Sequence, residues 1–201
     1  MVKDFVRVKY KEQDVGVVSF NTETGIGSFE FEPSFIKTGI ELSPLKMPLS
    51  RKIYSFPEAD PAAFKGLPGM IADSLPDDFG NAVLNAWIAS QGRSSTDITP
   101  IERLKYTGTR GMGALSFHPA TQRKHLNASQ NVEIQSLVSI AQDILDKREK
   151  FNVALDEQGK EDKEAMMALL SVGMSAGGVR PKAVLAFNND FTQVRSGQTD
   201  V

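Results

Sequence analysis

The side chains best placed to do chemistry lie in the run Ser171-Val-Gly-Met-Ser-Ala-Gly-Gly-Val-Arg-Pro-Lys182, which passes directly into the apolar stretch Ala183–Phe187. Gly173, Gly177 and Gly178 accept positive φ and let backbone N–H groups approach an anion with no Cβ in the way, which is how a phosphate cradle is made. Arg180 and Lys182 alternate with Val179 and Pro181, so both cations project from one face of the strand start, where a phosphate would sit. A glycine-rich loop alone is more often a plain turn between a helix and a strand. Other candidates carry less. Asp77 and Asp78 diverge by about a hundred degrees on a helix, which suits acids of a first turn better than a catalytic pair. His118 and His125 have no carboxylate or cysteine at ligand spacing and are expected to be surface histidines. Gly108-Thr-Arg-Gly-Met-Gly113 precedes a strand, whereas phosphate loops follow a strand and open a helix, so it is expected to be a tight turn. Met47-Pro-Leu-Ser-Arg51 offers no recognisable chemistry.

The elements that must position the loop follow from periodicity. Phe5–Tyr10 alternates apolar and charged residues, Val15–Phe20 is a second β-rich run, and Ile26–Phe31 follows the turn Asn21-Thr-Glu-Thr-Gly25, so an antiparallel meander is expected. Pro33–Gly39 has the composition of one helical turn, and an irregular proline-bearing segment runs from Glu41 to Asp60. Between Leu75 and Gly92, Phe79, Val83, Leu84, Trp87 and Ile88 recur at helical spacing, with Ser74 as a possible cap, Pro76 in the first turn and Gly92 as the stop. Thr99-Pro-Ile-Glu102 is a capping box opening a short helix to Tyr106, and Ala114–Phe117 is a further strand. His118 to Asn131 is a polar connection, and Asn131–Lys150 carries one apolar stripe of Ile134, Leu137, Val138, Ala141, Ile144 and Leu145. After the glycine loop, Ala183–Phe187 and Phe191–Arg195 form a hairpin across Asn188-Asn189-Asp190. The expected class is α+β: residues 1–118 form one subdomain, 119–130 connect, and 131–201 begin a second with a long helix, the glycine loop and a hairpin.

Composition narrows the function. At 201 residues, with 40% hydrophobic and 24% charged residues, the chain can bury a core without staples. It has no cysteine and two histidines, which excludes disulfides and thiolate metal sites and leaves little for an imidazole-rich one. The N-terminus lacks an apolar signal region and no apolar run spans a bilayer, so a cytoplasmic protein without membrane contacts is expected. A net charge of −2 gives no general attraction to nucleic acid or anionic lipid.

Ser175-Ala-Gly-Gly-Val-Arg-Pro-Lys182 resembles the nucleotide loop of the HipA-like serine/threonine kinases, and the resemblance extends upstream. Asp77-Asp-Phe-Gly80, Pro100-Ile-Glu-Arg-Leu104 and Gly111-Met-Gly-Ala-Leu115 are similar to the N-terminal subdomain of the same family. The resemblance implies a toxin–antitoxin kinase that moves the γ-phosphate of ATP, with Mg²⁺, to a serine or threonine of a protein such as an aminoacyl-tRNA synthetase. Ser175, Ala176, Gly177, Gly178, Val179, Arg180 and Lys182 would hold the nucleotide, and Ser175 would be an autophosphorylated switch. A helix-turn-helix antitoxin is the implied partner, with DNA contacted only through it. The later strand lysine, catalytic aspartate, asparagine and metal-binding aspartate of such a kinase have no counterpart here, so the chain is expected to be an inactive N-terminal fragment of a protein about twice as long. Asp190-Phe191-Thr192 resembles a kinase metal motif but comes too early to serve as one. The alternative is a non-catalytic, antitoxin-like module that binds and restrains a partner kinase.

Overall fold

A computed structural model describes residues 4–89, 91–111, 113–119, 185–190, 192 and 194–196. Two compact units result, Met1–Leu75 with Thr99–Thr121 and Pro76–Ile98 with Gln122–Val201. The chain is α+β, as its patterning implies.

In the first unit, β1 (Asp4–Tyr10), β2 (Gln13–Asn21) and β3 (Ile26–Phe31) form the expected meander, closed at one edge by β4 (Ile53–Tyr54) and at the other by β5 (Leu115–His118). The order is β4-β3-β2-β1-β5 and every pair is antiparallel. Alternation decides which face is buried. Val6, Val8, Val18, Phe20, Phe29, Phe31 and Phe117 point inward and are all under 8% exposed, whereas Phe5, Arg7 and Glu30, offset by one residue, face solvent. Register slips once, between Val8 and Lys9, where Val15 is inserted as a bulge and Gly16 comes opposite Val8. A Cβ on Gly16 would lie 2.2 Å from the Glu30 carbonyl oxygen, so β3 approaches β2 this closely only over a glycine.

The inner face is covered by short elements. These are α1 (Pro33–Ile36), α2 (Pro61–Phe64), α3 (Gly69–Ala72) and their loops, which bring Phe35, Met47, Leu67 and Ile71 into the core. Phe29 and Phe31 meet edge to face at 4.9 Å, and Phe31 stacks parallel to Phe35 at 6.1 Å. Met47, in a segment without obvious chemistry, is a buried core residue at 1% exposure. Helix α5 (Pro100–Thr107) adds Ile101 and Leu104, and Thr99 caps it by accepting the Glu102 N–H at 3.1 Å, the start expected from its capping box.

In the second unit, α4 (Asp78–Ala89) buries Phe79, Val83, Leu84, Trp87 and Ile88, the residues its spacing marked. Its start differs from the expected one. Asp77 accepts the Gly80 N–H at 2.7 Å and so caps the helix, leaving Ser74 four residues upstream and Pro76 outside the first turn. β6 (Leu185–Phe187) pairs antiparallel with β7 (Val194–Ser196). The stripe of residues 131–150 lies outside the described residues.

Candidate functional site

Ser175, Ala176, Gly177, Gly178, Val179, Arg180 and Lys182 lie outside the described residues, as does His125. What is described beside them is the hairpin that follows. Asp190 in its turn accepts from the Thr192 hydroxyl at 2.9 Å, and Asn188 donates to the same hydroxyl at 2.9 Å. A carboxylate engaged in its own turn is acting as a turn residue, in keeping with its place in the hairpin directly after the glycine-rich run.

Three polar groupings belong to the sheet unit. The first ties β1 to α5: Lys105 is ion-paired with Asp4, whose other carboxylate oxygen accepts from the Thr99 hydroxyl at 3.4 Å. It is two-thirds or more shielded on both sides and fastens the helix cap to the sheet. The second lies on the solvent face, where register sets Arg7 opposite His118 and Lys9 opposite Ser116. The Ser116 hydroxyl and His118 Nε2 are 3.0 Å apart, so His118 is a half-buried, hydrogen-bonded residue and not a free surface histidine. Glu32 at 3.9 Å from Arg7 and Asp14 at 3.6 Å from Lys9 offset the positive charge. Among the described residues no third group orients the imidazole, so nothing in this geometry activates the serine.

The third grouping is at the end of α5. Arg110 donates through Nη2 to the Tyr106 carbonyl, satisfying one of the last carbonyls of the helix. Burial lowers its pKa from the usual arginine value to about 10, which still leaves the guanidinium charged at neutral pH. Burial also lowers that of Arg103, against an opposing effect from Glu102. Among the described residues no group of three or more His, Cys, Asp or Glu side chains could hold a metal ion, and no helix is long and apolar enough to cross a membrane.

Comparison with known proteins bears on the same region. Residues 6–118 match the family described as HipA N-terminal domain, a span that starts in β1, ends on the last residue of β5 and takes in both α4 and α5. No curated protein and no solved structure matches the chain significantly. With more than half of its residues under the family match, the chain belongs to the HipA N-terminal domain family.

Proposed function

We propose that these residues are the N-terminal part of a HipA-like protein serine/threonine kinase, which transfers the γ-phosphate of ATP to a serine or threonine of a protein target. The observation that carries the reading is that the HipA N-terminal domain at 6–118 is joined, in one chain, to Ser175-Ala-Gly-Gly-Val-Arg-Pro-Lys182. In this reading the backbone of Ser175 to Val179 cradles the phosphates, Arg180 and Lys182 supply charge, and a phosphate on Ser175 repels nucleotide and switches the kinase off. ATP brings Mg²⁺, and the aspartates and asparagine that hold metal and activate the hydroxyl come from sequence beyond these residues, so the 201-residue chain alone is inactive. A helix-turn-helix antitoxin, DNA through that antitoxin, and a substrate such as an aminoacyl-tRNA synthetase are the proposed partners, in the cytoplasm.

The test has two parts. Calorimetry with ATP and Mg²⁺ should find weak binding or none by the 201-residue chain, and labelled phosphate should not be transferred. In a whole kinase carrying this sequence, Arg180→Ala or Lys182→Ala removes a charge-assisted contact and should slow target phosphorylation about tenfold to a hundredfold. Ser175→Ala should leave it intact and Ser175→Asp should impair it. Parental rates for Arg180→Ala, Lys182→Ala and Ser175→Asp together would remove the nucleotide role of the loop. The alternative reading is a non-catalytic module, built on the HipA N-terminal domain at 6–118, that restrains a separate kinase, against which the glycine-rich run in the same chain speaks. Stoichiometric inhibition of a HipA-like kinase domain by residues 1–118 supplied in trans would support it.

A further inference from the structure

The loop between α1 and β4 combines an exposed apolar tip with unpartnered positive charge. Leu45 is 94% exposed, and Ile40 and Ile53 near the two ends of the loop are 37% and 66% exposed. The tip is held in place. Met47 donates its N–H to the Ser43 carbonyl at 2.8 Å, closing a turn with Leu45 and Lys46 at its apex, while the Met47 side chain is anchored in the core. Glu41 accepts the Leu49 N–H at 3.3 Å and so ties the two arms together, and the Ser50 and Tyr54 hydroxyls are 2.8 Å apart at the base.

The charge of the segment is one-sided. Residues 37–53 contain four cations, Lys37, Lys46, Arg51 and Lys52, and a single carboxylate, Glu41, which is committed to Leu49. All four cations are exposed, and none makes an ion pair or side-chain hydrogen bond among the described residues. The overall charge of −2 conceals this local excess of three positive charges.

We propose that the loop from Lys37 to Ile53 is a peripheral docking site for an anionic lipid surface, with Leu45 inserting among the headgroups and the cations lying against lipid phosphates. An aliphatic knob beside lysines is the chemistry by which proteins lie on acidic bilayers. Protein partners favour a different one, in which aromatic side chains and arginine are enriched and lysine is depleted, and the exposed part of this loop holds three lysines and no aromatic ring. The loop arrives pre-shaped, so little ordering opposes docking.

The test is cosedimentation of the full chain with vesicles of phosphatidylglycerol and phosphatidylcholine in equal parts, against pure phosphatidylcholine, at low and at physiological ionic strength. Binding should require phosphatidylglycerol and weaken with salt. Leu45→Asp, and separately Lys46→Glu with Arg51→Glu, should weaken it about tenfold or more, while Lys65→Glu outside the loop should change it less than about twofold. Since these side chains are exposed, an unchanged thermal midpoint certifies the fold of each variant. Absence of lipid-dependent binding at low salt, parental binding by Leu45→Asp, or an equal loss in Lys65→Glu each overturns the proposal. So does capture of a polyglutamate peptide with vesicles ignored, which would assign the loop to an acidic protein.

Discussion

Two glycines show how differently the same backbone angle weighs. Gly66 has φ of +75°, and a Cβ there would lie 1.9 Å from the Gly25 carbonyl oxygen, whereas Gly25 has φ of +70° with nothing within 4 Å of its would-be Cβ. Gly25→Ala should therefore cost about 1–2 kcal/mol, the left-handed penalty alone. Gly66→Ala adds a collision with backbone and should cost more than about 3 kcal/mol, read from urea midpoints of the two variants beside the parent. Equal losses would show that the loop around Gly25 yields freely. Asp4→Ala makes a smaller demand. It strips Lys105 and Thr99 of a common partner, but the group is partly solvated, so about 1 kcal/mol is expected and the loss should shrink in high salt. The Asp4 contacts were invisible in the sequence, because β1 and α5 are far apart along the chain and only the packing of α5 against β1 brings them together. His118 is expected at the surface from the sequence, and its bond to Ser116 required knowing that both residues project from one face of β5.

Helix starts test the same limits one level up. Thr99-Pro-Ile-Glu102 announces its own cap, and the Thr99 hydroxyl makes the bond its position demands. For α4 the sequence points to Ser74 as the cap and to Asp77 as an acid of the first turn, yet aspartate caps about as well as serine. Geometry chooses Asp77. Asp77→Ala should destabilise by about 1 kcal/mol and lower the helical signal in circular dichroism, while Ser74→Ala should do little; a larger loss at Ser74 would contradict the observed cap. Strands of six or more residues were legible because alternation repeats enough to be counted, as in Ile26–Phe31. The two-residue β4 and the four-residue α2 and α3 span about one period each, too few residues for a pattern to repeat, and β4 is defined by its pairing with β3. The glycine-rich run Ser175–Lys182 is readable only as a sequence pattern and lies outside the described residues.

The sheet unit as a whole rests on an aromatic cluster on its inner face. Phe31 is its centre, meeting Phe29, Phe35 and Tyr54, and Phe29 is fully buried in edge contact with it, so Phe29→Ala should cost about 3–5 kcal/mol. That is a large part of the roughly 5–15 kcal/mol that holds a domain together, so a sharp drop in the urea midpoint of the far-ultraviolet signal is expected. A shift below about 1 kcal/mol would mean that the core tolerates the hole. The family match reaches all five strands of this sheet, and the fold class was legible in the alternation and helical spacing along the same span. Strand order carries a last consequence, for synthesis. Although β1 is made before the other strands of its sheet, it sits between β2 and β5, and β5 is the last strand of the sheet to leave the ribosome. With translation at about 5–20 residues per second, one edge of β1 stays unpaired for roughly 5–20 seconds in every nascent chain. During that interval Phe5, Val6 and Val8 form an open template, and the charges of Arg7 and Lys9 between and beside them are the built-in guard against pairing with a neighbouring polysome product.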